Sequence, residues 1–189
     1  MKSNLPLFTV IIPQKDRAEF LRSTIETCIG QSYENMEILV SDDGSIDNSL
    51  EVVNEFIEID SRVQLFHQKE PLGMRENFEF LLKRVKPGYV IALGGDDGLM
   101  PNAIERMYEI LSSTNCELLT WEPAKFIFPG LYSDNGLLVV PRKAREICLV
   151  KSRDFLKRTA KNLNYNGDPQ CPMFYIKGVV STNLIDRVR

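Results

Sequence analysis

Two acidic pairs carry the first chemical signal in this chain. Asp42-Asp43 and Asp96-Asp97 each come just after an apolar run, residues 37–40 and 89–93, and each is followed by a glycine, Gly44 and Gly98. Glycine permits the tight turn that projects neighbouring side chains away from a strand end. Carboxylates gathered at one sheet edge repel one another unless a cation or hydrogen-bond donors offset them. Mg2+ or Mn2+ is the natural partner. Mg2+ takes one or two carboxylates, keeps several waters and fills its remaining positions from substrate phosphates. One such pair would be explained as a loop or helix cap, whereas two at equivalent strand ends point to a site for a phosphorylated ligand.

Other chemistries find no support. The four cysteines, Cys28, Cys116, Cys148 and Cys171, form no C-x-x-C pair and no zinc spacing. The single histidine, His67, cannot build a His-rich metal site, and no nucleophile motif accompanies it, which removes Ser-His-Asp and Cys-His catalysis. No G-x-G-x-x-G follows the first strand and no G-x-x-x-x-G-K-[ST] occurs, so dinucleotide dehydrogenases and P-loop NTPases drop out.

These residues need a scaffold, and the composition supplies one. The chain has 189 residues, 43% hydrophobic and 26% charged, the profile of a soluble globular protein with a core. Its apolar runs are strand-sized, short of the roughly 20 residues of a membrane span, and its N-terminus does not resemble a secretory signal. A cytoplasmic protein is expected. The net charge of −3 divides unevenly: residues 1–122 hold 11 Lys+Arg against 21 Asp+Glu, and residues 123–189 hold 12 against 5. The acidic front half excludes a nucleic-acid surface. Within the tail, residues 142–161 carry eight Lys+Arg against two acids, a candidate for peripheral contact with anionic lipid at the inner face of a membrane.

Periodicity orders the elements. Residues 8–12 form a buried β-branched strand closed by Pro13, and Asp16 with Glu19 fits a capping box for the helix that follows. Strands at 37–40, 63–66, 89–93 and 116–121 alternate with helices marked by Leu50, Val53 and Phe56, by Met74, Phe78 and Leu81, and by Ile104, Met107 and Leu111. This βαβαβαβαβ rhythm predicts an α/β, Rossmann-like, doubly wound and mostly parallel sheet. After residue 122 the rhythm gives way to a C-terminal α+β elaboration: a hairpin around residues 133–136, a helix over 152–163, a polar loop at 164–170, a strand at 174–180 and a closing helix at 184–188.

In order along the chain, FTVIIPQKDR (8–17), IGQSYENMEILVSDDGSIDNS (29–49), LGMRENF (72–78) and YVIALGGDDGLMPNAI (89–104) resemble the family 2 glycosyltransferases of the GT-A fold. The resemblance implies that the end of the first strand and the first Asp of DDGS hold the donor nucleobase, which falls on Pro13 and Asp42 with Asp43 nearby. It implies that Asp96 meets the ribose, that Asp97 with Asp96 binds the metal, and that Arg75 and Asn77 line the donor pocket. The family often has an aromatic residue where Lys15 stands, and Lys15 could bind phosphate instead; its D-x-D-D motif has Gly94 in the first position.

On this resemblance the chain is expected to transfer a sugar from a nucleoside-diphosphate sugar, above all a UDP-sugar, to an acceptor hydroxyl on a saccharide or lipid-linked acceptor. The transfer would be metal-dependent (Mg2+ or Mn2+) and inverting, in the making of a cell-envelope polysaccharide. Residues 1–122 would be the donor-binding subdomain and 123–189 an incomplete acceptor-side subdomain of the same globular unit. The family's catalytic base follows a helix like that at 184–188, so it is expected beyond Arg189 and the chain reads as part of a longer enzyme. Two alternatives stand beside this reading: a catalytically silent nucleotide-sugar-binding module, and a receiver-type signalling domain, against which the complete βα unit before Asp42 argues.

Overall fold

The computed structural model describes residues 5–121, 125–127, 137–139 and 177–188. Two compact units divide the chain, one formed by Met1–Leu119 with Val179–Arg189 and one by Thr120–Gly178.

In the first unit β1 (Phe8–Gln14), β2 (Met36–Asp42), β3 (Val63–His67) and β4 (Tyr89–Ala92) alternate with α1 (Ala18–Ile29), α2 (Ser49–Ile59), α3 (Met74–Leu82) and α4 (Ala103–Thr114), and β5 (Leu118–Trp121) follows. The pairs β1–β2, β1–β4 and β2–β3 are parallel, as the alternating rhythm requires. β1 lies between β2 and β4, so neither of its edges is free, and Phe8, Val10, Ile11 and Ile12 on its two faces are fully buried. Burying each such side chain contributes about 1.5–3 kcal/mol, which makes this β-branched run the spine of the core.

Two local expectations change. β1 does not close at Pro13 but runs through it to Gln14, opposite Ser41 and Asp42. The Ile11 carbonyl accepts from Leu93 on the β4 side, and the Gln14 carbonyl accepts from Asp43 on the other. Pro13 shares the β4-facing side with Ile11, and pairing with β4 ends at Ile11–Ala92. Its missing N–H therefore removes no rung of the ladder.

The expected capping box is also absent, because Asp16 adopts a left-handed φ of 50° and its carboxylate accepts from the Ile46 N–H at 2.8 Å. The first turn of α1 is capped instead from 29 residues downstream: the Asp47 carboxylate accepts from the Ala18 N–H at 2.9 Å. The Ser49 hydroxyl accepts from the Arg17 N–H at 3.2 Å. Burial by itself raises the Asp47 carboxyl, but hydrogen bonds from the Ser49 hydroxyl and the Ala18 and Ser49 N–H groups outweigh it and hold Asp47 below its ordinary 3.8. A depressed carboxyl contributes stability above its unfolded value and loses it as pH falls through the folded one. Urea denaturation should therefore find Asp47→Ala about 1 kcal/mol less stable than the wild type at neutral pH. The gap should close as pH falls below the ordinary carboxylate value; a gap unchanged in acid would contradict the cap.

The sheet also takes in a strand from the end of the chain. β8 (Lys177–Ser181) lies between β4 and β5, giving the order β3-β2-β1-β4-β8-β5, and it pairs antiparallel with β4 from Tyr89–Ser181 to Ile91–Val179. α5 (Thr182–Val188) follows it directly. The strand and closing helix expected here are present, but the strand is part of the sheet itself, which stays mostly parallel. Of the second unit, β6 (Lys125–Ile127) and β7 (Leu137–Val139) pair antiparallel, Lys125 opposite Val139, as the hairpin reading requires. The helix expected over 152–163, the loop at 164–170 and the basic stretch at 142–161 lie outside the described residues. No helix among the described residues is long and apolar enough to cross a membrane.

Candidate active site

Ligands of open α/β sheets bind beyond the carboxyl ends of the strands. Here the ends of β1, β2 and β4 open on a cleft of about 420 Å³. Pro13, Gln14, Lys15 and Arg17 border it from β1 and the turn after it. Asp43 follows β2, Pro71 and Gly73 lead into α3, which contributes Met74 and Asn77, and Gly94 to Asp96 follow β4. Five of the residues singled out in the sequence thus meet here: Pro13, Lys15, Asp43, Asn77 and Asp96. Asp42, Arg75 and Asp97 are not among its lining.

The two carboxylates of the first acidic pair do different work. Asp42 is 0% exposed. Its Oδ1 accepts from the Ser45 N–H and pairs with His67 Nδ1, both at 3.0 Å, and its Oδ2 accepts from Gln14 Nε2. Its partners are protein groups on three segments, so it shapes the cleft through Gln14 rather than by facing it. His67 is accounted for by the same cluster. Asp43 accepts from the N–H groups of Leu72 at 2.6 Å and Gly73 at 2.9 Å. It thereby holds the entrance of α3, where the helix dipole favours negative charge.

Asn77 is stitched to β2 in both directions: the Ser41 hydroxyl donates to its Oδ1 at 2.5 Å, and its Nδ2 donates to the Ser41 carbonyl at 3.1 Å. Arg75 stands exposed in the first turn of α3.

The second pair is arranged around a position without a side chain. The Gly94 N–H donates to Asp97 Oδ2 at 2.8 Å, and the Asp97 N–H donates to the Gly94 carbonyl at 3.1 Å. A Cβ added at Gly94 would lie 2.8 Å from Asp96 Oδ1 and 3.1 Å from Asp97 Oδ2. The two carboxylate oxygens therefore converge over Gly94, where no Cβ would fit without displacing them. Among the described residues no group of three or more His, Cys, Asp or Glu could hold a metal by itself. A two-carboxylate set fits a cation that completes its coordination with water and substrate phosphates, and it fits Mg2+ or Mn2+ in that mode. Gly94→Ala would push these two oxygens aside, so it is expected to weaken Mn2+ binding by this pair about tenfold. Calorimetry with Mn2+ measures this, and unchanged binding would contradict a role for the two oxygens over Gly94.

Sequence reasoning passed over several lining residues. Arg17 adds a second exposed cation beside Lys15, Gln14 forms the floor beside Asp42, and Met74, 69% exposed, offers an apolar edge. Lys15 and Arg17 were both legible within IPQKDR. Gln14 and Met74 had no signal, because their relevance depends on which loops meet.

Comparison with known proteins now adds identity to this geometry. The model of "Glycosyl transferase family 2" matches residues 9–171. An uncharacterized glycosyltransferase of Haemophilus influenzae is 32% identical over 108 residues, 57% of this chain and 43% of that protein. Glycosyltransferase GlyG of Streptococcus pneumoniae is 29% identical over 60% of this chain and 38% of its own length. The chain thus spans less than half the length of these two relatives.

Among solved structures, Staphylococcus aureus TarS in complex with UDP-GlcNAc matches with a TM-score of 0.56 at 17% identity, over 59% of this chain and 32% of that one. The mannosyltransferase PcManGT of Pyrobaculum calidifontis, in complex with GDP-Man and Mn2+, matches with a TM-score of 0.55 at 18% identity, over 61% and 35%. At these identities the likeness speaks for the fold, which is GT-A. With the family model covering most of its length, the chain belongs to glycosyl transferase family 2.

Proposed function

We propose that the chain binds a nucleoside-diphosphate sugar in this cleft and serves its transfer, with inversion, to an acceptor hydroxyl on a saccharide or lipid-linked acceptor. The observation that carries this reading is the convergence of an Asp96 and an Asp97 carboxylate oxygen over Gly94, with the exposed cations Lys15 and Arg17 lining the same cleft as Gly94 and Asp96. A diphosphate needs both: positive side chains beside its outer oxygens, and carboxylates that hold a cation against it. The UDP-GlcNAc of TarS and the GDP-Man and Mn2+ of PcManGT support it, and a UDP-sugar is the donor proposed here.

Each residue has a part in this reading. Pro13 and Gln14 border the place of the base, with Asp42 fixing Gln14 from behind and Asp43 fixing the loop opposite. Asn77 and Arg75 belong to the α3 side of the donor. Lys15 and Arg17 meet the phosphates, and Asp96 reaches the ribose while holding the cation with Asp97. A bound Mg2+ or Mn2+ would offset charge growing on the departing diphosphate. A general base on the acceptor contributes typically 10²- to 10⁴-fold; we assign that role to none of the described residues. Residues 1–122 are the donor side in this reading and the segment after them the acceptor side. The basic stretch at 142–161 suits anionic lipid next to a lipid-linked acceptor. A relative named as a putative teichuronic acid biosynthesis glycosyltransferase, Bacillus subtilis TuaG, 25% identical over 59% of this chain, supports a cell-envelope polysaccharide as the product.

Calorimetric titration with UDP and GDP, each with and without Mn2+, tests the donor-site assignment. The reading expects micromolar to millimolar binding strengthened by Mn2+, stronger for UDP. Absence of binding to either nucleotide would overturn it.

A further inference from the structure

The loop that carries Asp96 and Asp97 is held by one face of α1 that the donor reading does not use. Thr24 is 1% exposed, and its hydroxyl lies 3.0 Å from the Gly95 carbonyl and 2.6 Å from the Asp97 carbonyl. One turn on, the Thr27 hydroxyl accepts from the Leu99 N–H at 3.1 Å while donating to the Thr24 carbonyl at 2.8 Å. Just past the end of the helix, Gln31 Nε2 donates to the Met100 carbonyl at 3.0 Å and its Oε1 accepts from the Ile104 N–H at 3.2 Å. A Cβ added at Gly98 would lie 3.3 Å from Thr27 Oγ1 and Cγ2, so the loop packs closely on this face.

Residues 24 and 27 share one stripe of the helix, and Gln31 follows just past its C-terminal end. Between them they bind backbone groups at 95, 97, 99, 100 and 104, the whole span around the acidic pair. A loop whose main chain is pinned at these points has little freedom in where it points its carboxylates.

We propose that Thr24 is a positioning residue of the site: its hydroxyl, shared by the carbonyls of Gly95 and Asp97, sets the backbone from which Asp96 and Asp97 present their oxygens to a divalent cation. The inference rests on the donor-site reading above and adds to it the element that preorganises the metal-binding loop. Thr24 touches neither nucleotide nor cation. Its effect is on geometry, and outer partners of this kind typically change metal affinity 10- to 100-fold.

The test is Thr24→Val, close in shape but without the hydroxyl, titrated with UDP in the presence and absence of Mn2+. The expected result is a roughly tenfold loss of the Mn2+-supported gain in affinity with metal-free UDP binding unchanged. Thr24→Ser, which keeps the hydroxyl, should restore the gain. Thermal melts followed by circular dichroism report whether the fold is intact. If Thr24→Val does not fold, Thr24→Ala, which also lacks the hydroxyl but carries no branched side chain, is titrated in the same way.

Asp97→Asn is measured alongside to separate the two ideas. A wild-type Mn2+ gain in Thr24→Val together with its loss in Asp97→Asn would overturn the positioning role alone. An equal loss of metal-free and Mn2+-supported binding in Thr24→Val would overturn it too, as a merely structural effect. A full gain in Asp97→Asn would overturn the donor-site reading and this inference with it.

Discussion

Asp97→Asn is expected to reduce Mn2+-supported nucleotide affinity about 100-fold, equivalent to about 2.7 kcal/mol, while leaving the fold intact. The asymmetry follows from the two tasks of this carboxylate. Asp97 Oδ2 accepts from the Gly94 N–H at 2.8 Å, and an asparagine oxygen can accept the same hydrogen bond. What asparagine cannot supply is the negative charge, and a divalent cation held by only two protein carboxylates depends on each of them. Calorimetry gives the affinity and a thermal melt gives the stability. A variant that kept its Mn2+ response would contradict the assignment of the second acidic pair to the cation.

Asp42→Ala is expected to show the opposite profile, a loss of stability of about 2–3 kcal/mol in urea denaturation. Asp42 is fully buried; removing it takes the acceptor from the half-buried Ser45 N–H, leaves Gln14 Nε2 only a longer contact to the Ser45 hydroxyl at 3.4 Å, and releases the exposed His67 ring. An unsatisfied buried polar group costs about 1–3 kcal/mol, and these groups belong to three separate segments that the carboxylate ties together. The same substitution frees Gln14 in the floor of the cleft, so nucleotide affinity should fall as well, with or without Mn2+. A variant as stable as the wild type would contradict the reading of Asp42 as a structural anchor.

The contrast between these residues shows what the sequence made legible. Residues 8–12, 37–40, 63–66 and 89–93 announce strands through apolar and β-branched runs, and β1 to β4 follow them closely. Both acidic pairs fall at the strand ends where an α/β sheet binds ligands. What Asp42 and Asp43 each do was not legible, because their partners are 25 to 30 residues away at His67, Leu72 and Gly73. Two neighbouring carboxylates look alike until the loops that meet them are known.

The start of α1 teaches the same lesson. Asp16 and Glu19 have the spacing of a local cap, yet Asp47 caps the helix from the next βα loop. β8 has an ordinary strand composition, and nothing local announces that it enters the sheet antiparallel between β4 and β5. The polar residues Thr24, Thr27 and Gln31 were visible in principle. The first two lie beside the apolar positions of an amphipathic helix and the third just past its end, and buried hydroxyls and amides demand partners. Only the fold identifies those partners as the loop carrying Asp96 and Asp97.

The most direct test of the donor site is a crystal structure of the chain grown with UDP and Mn2+, with anomalous scattering used to locate the metal. The account predicts one Mn2+ peak between the carboxylates of Asp96 and Asp97, over Gly94, with the diphosphate beside Lys15 and Arg17. A nucleotide bound outside this cleft, or Mn2+ held away from both Asp96 and Asp97, would contradict it.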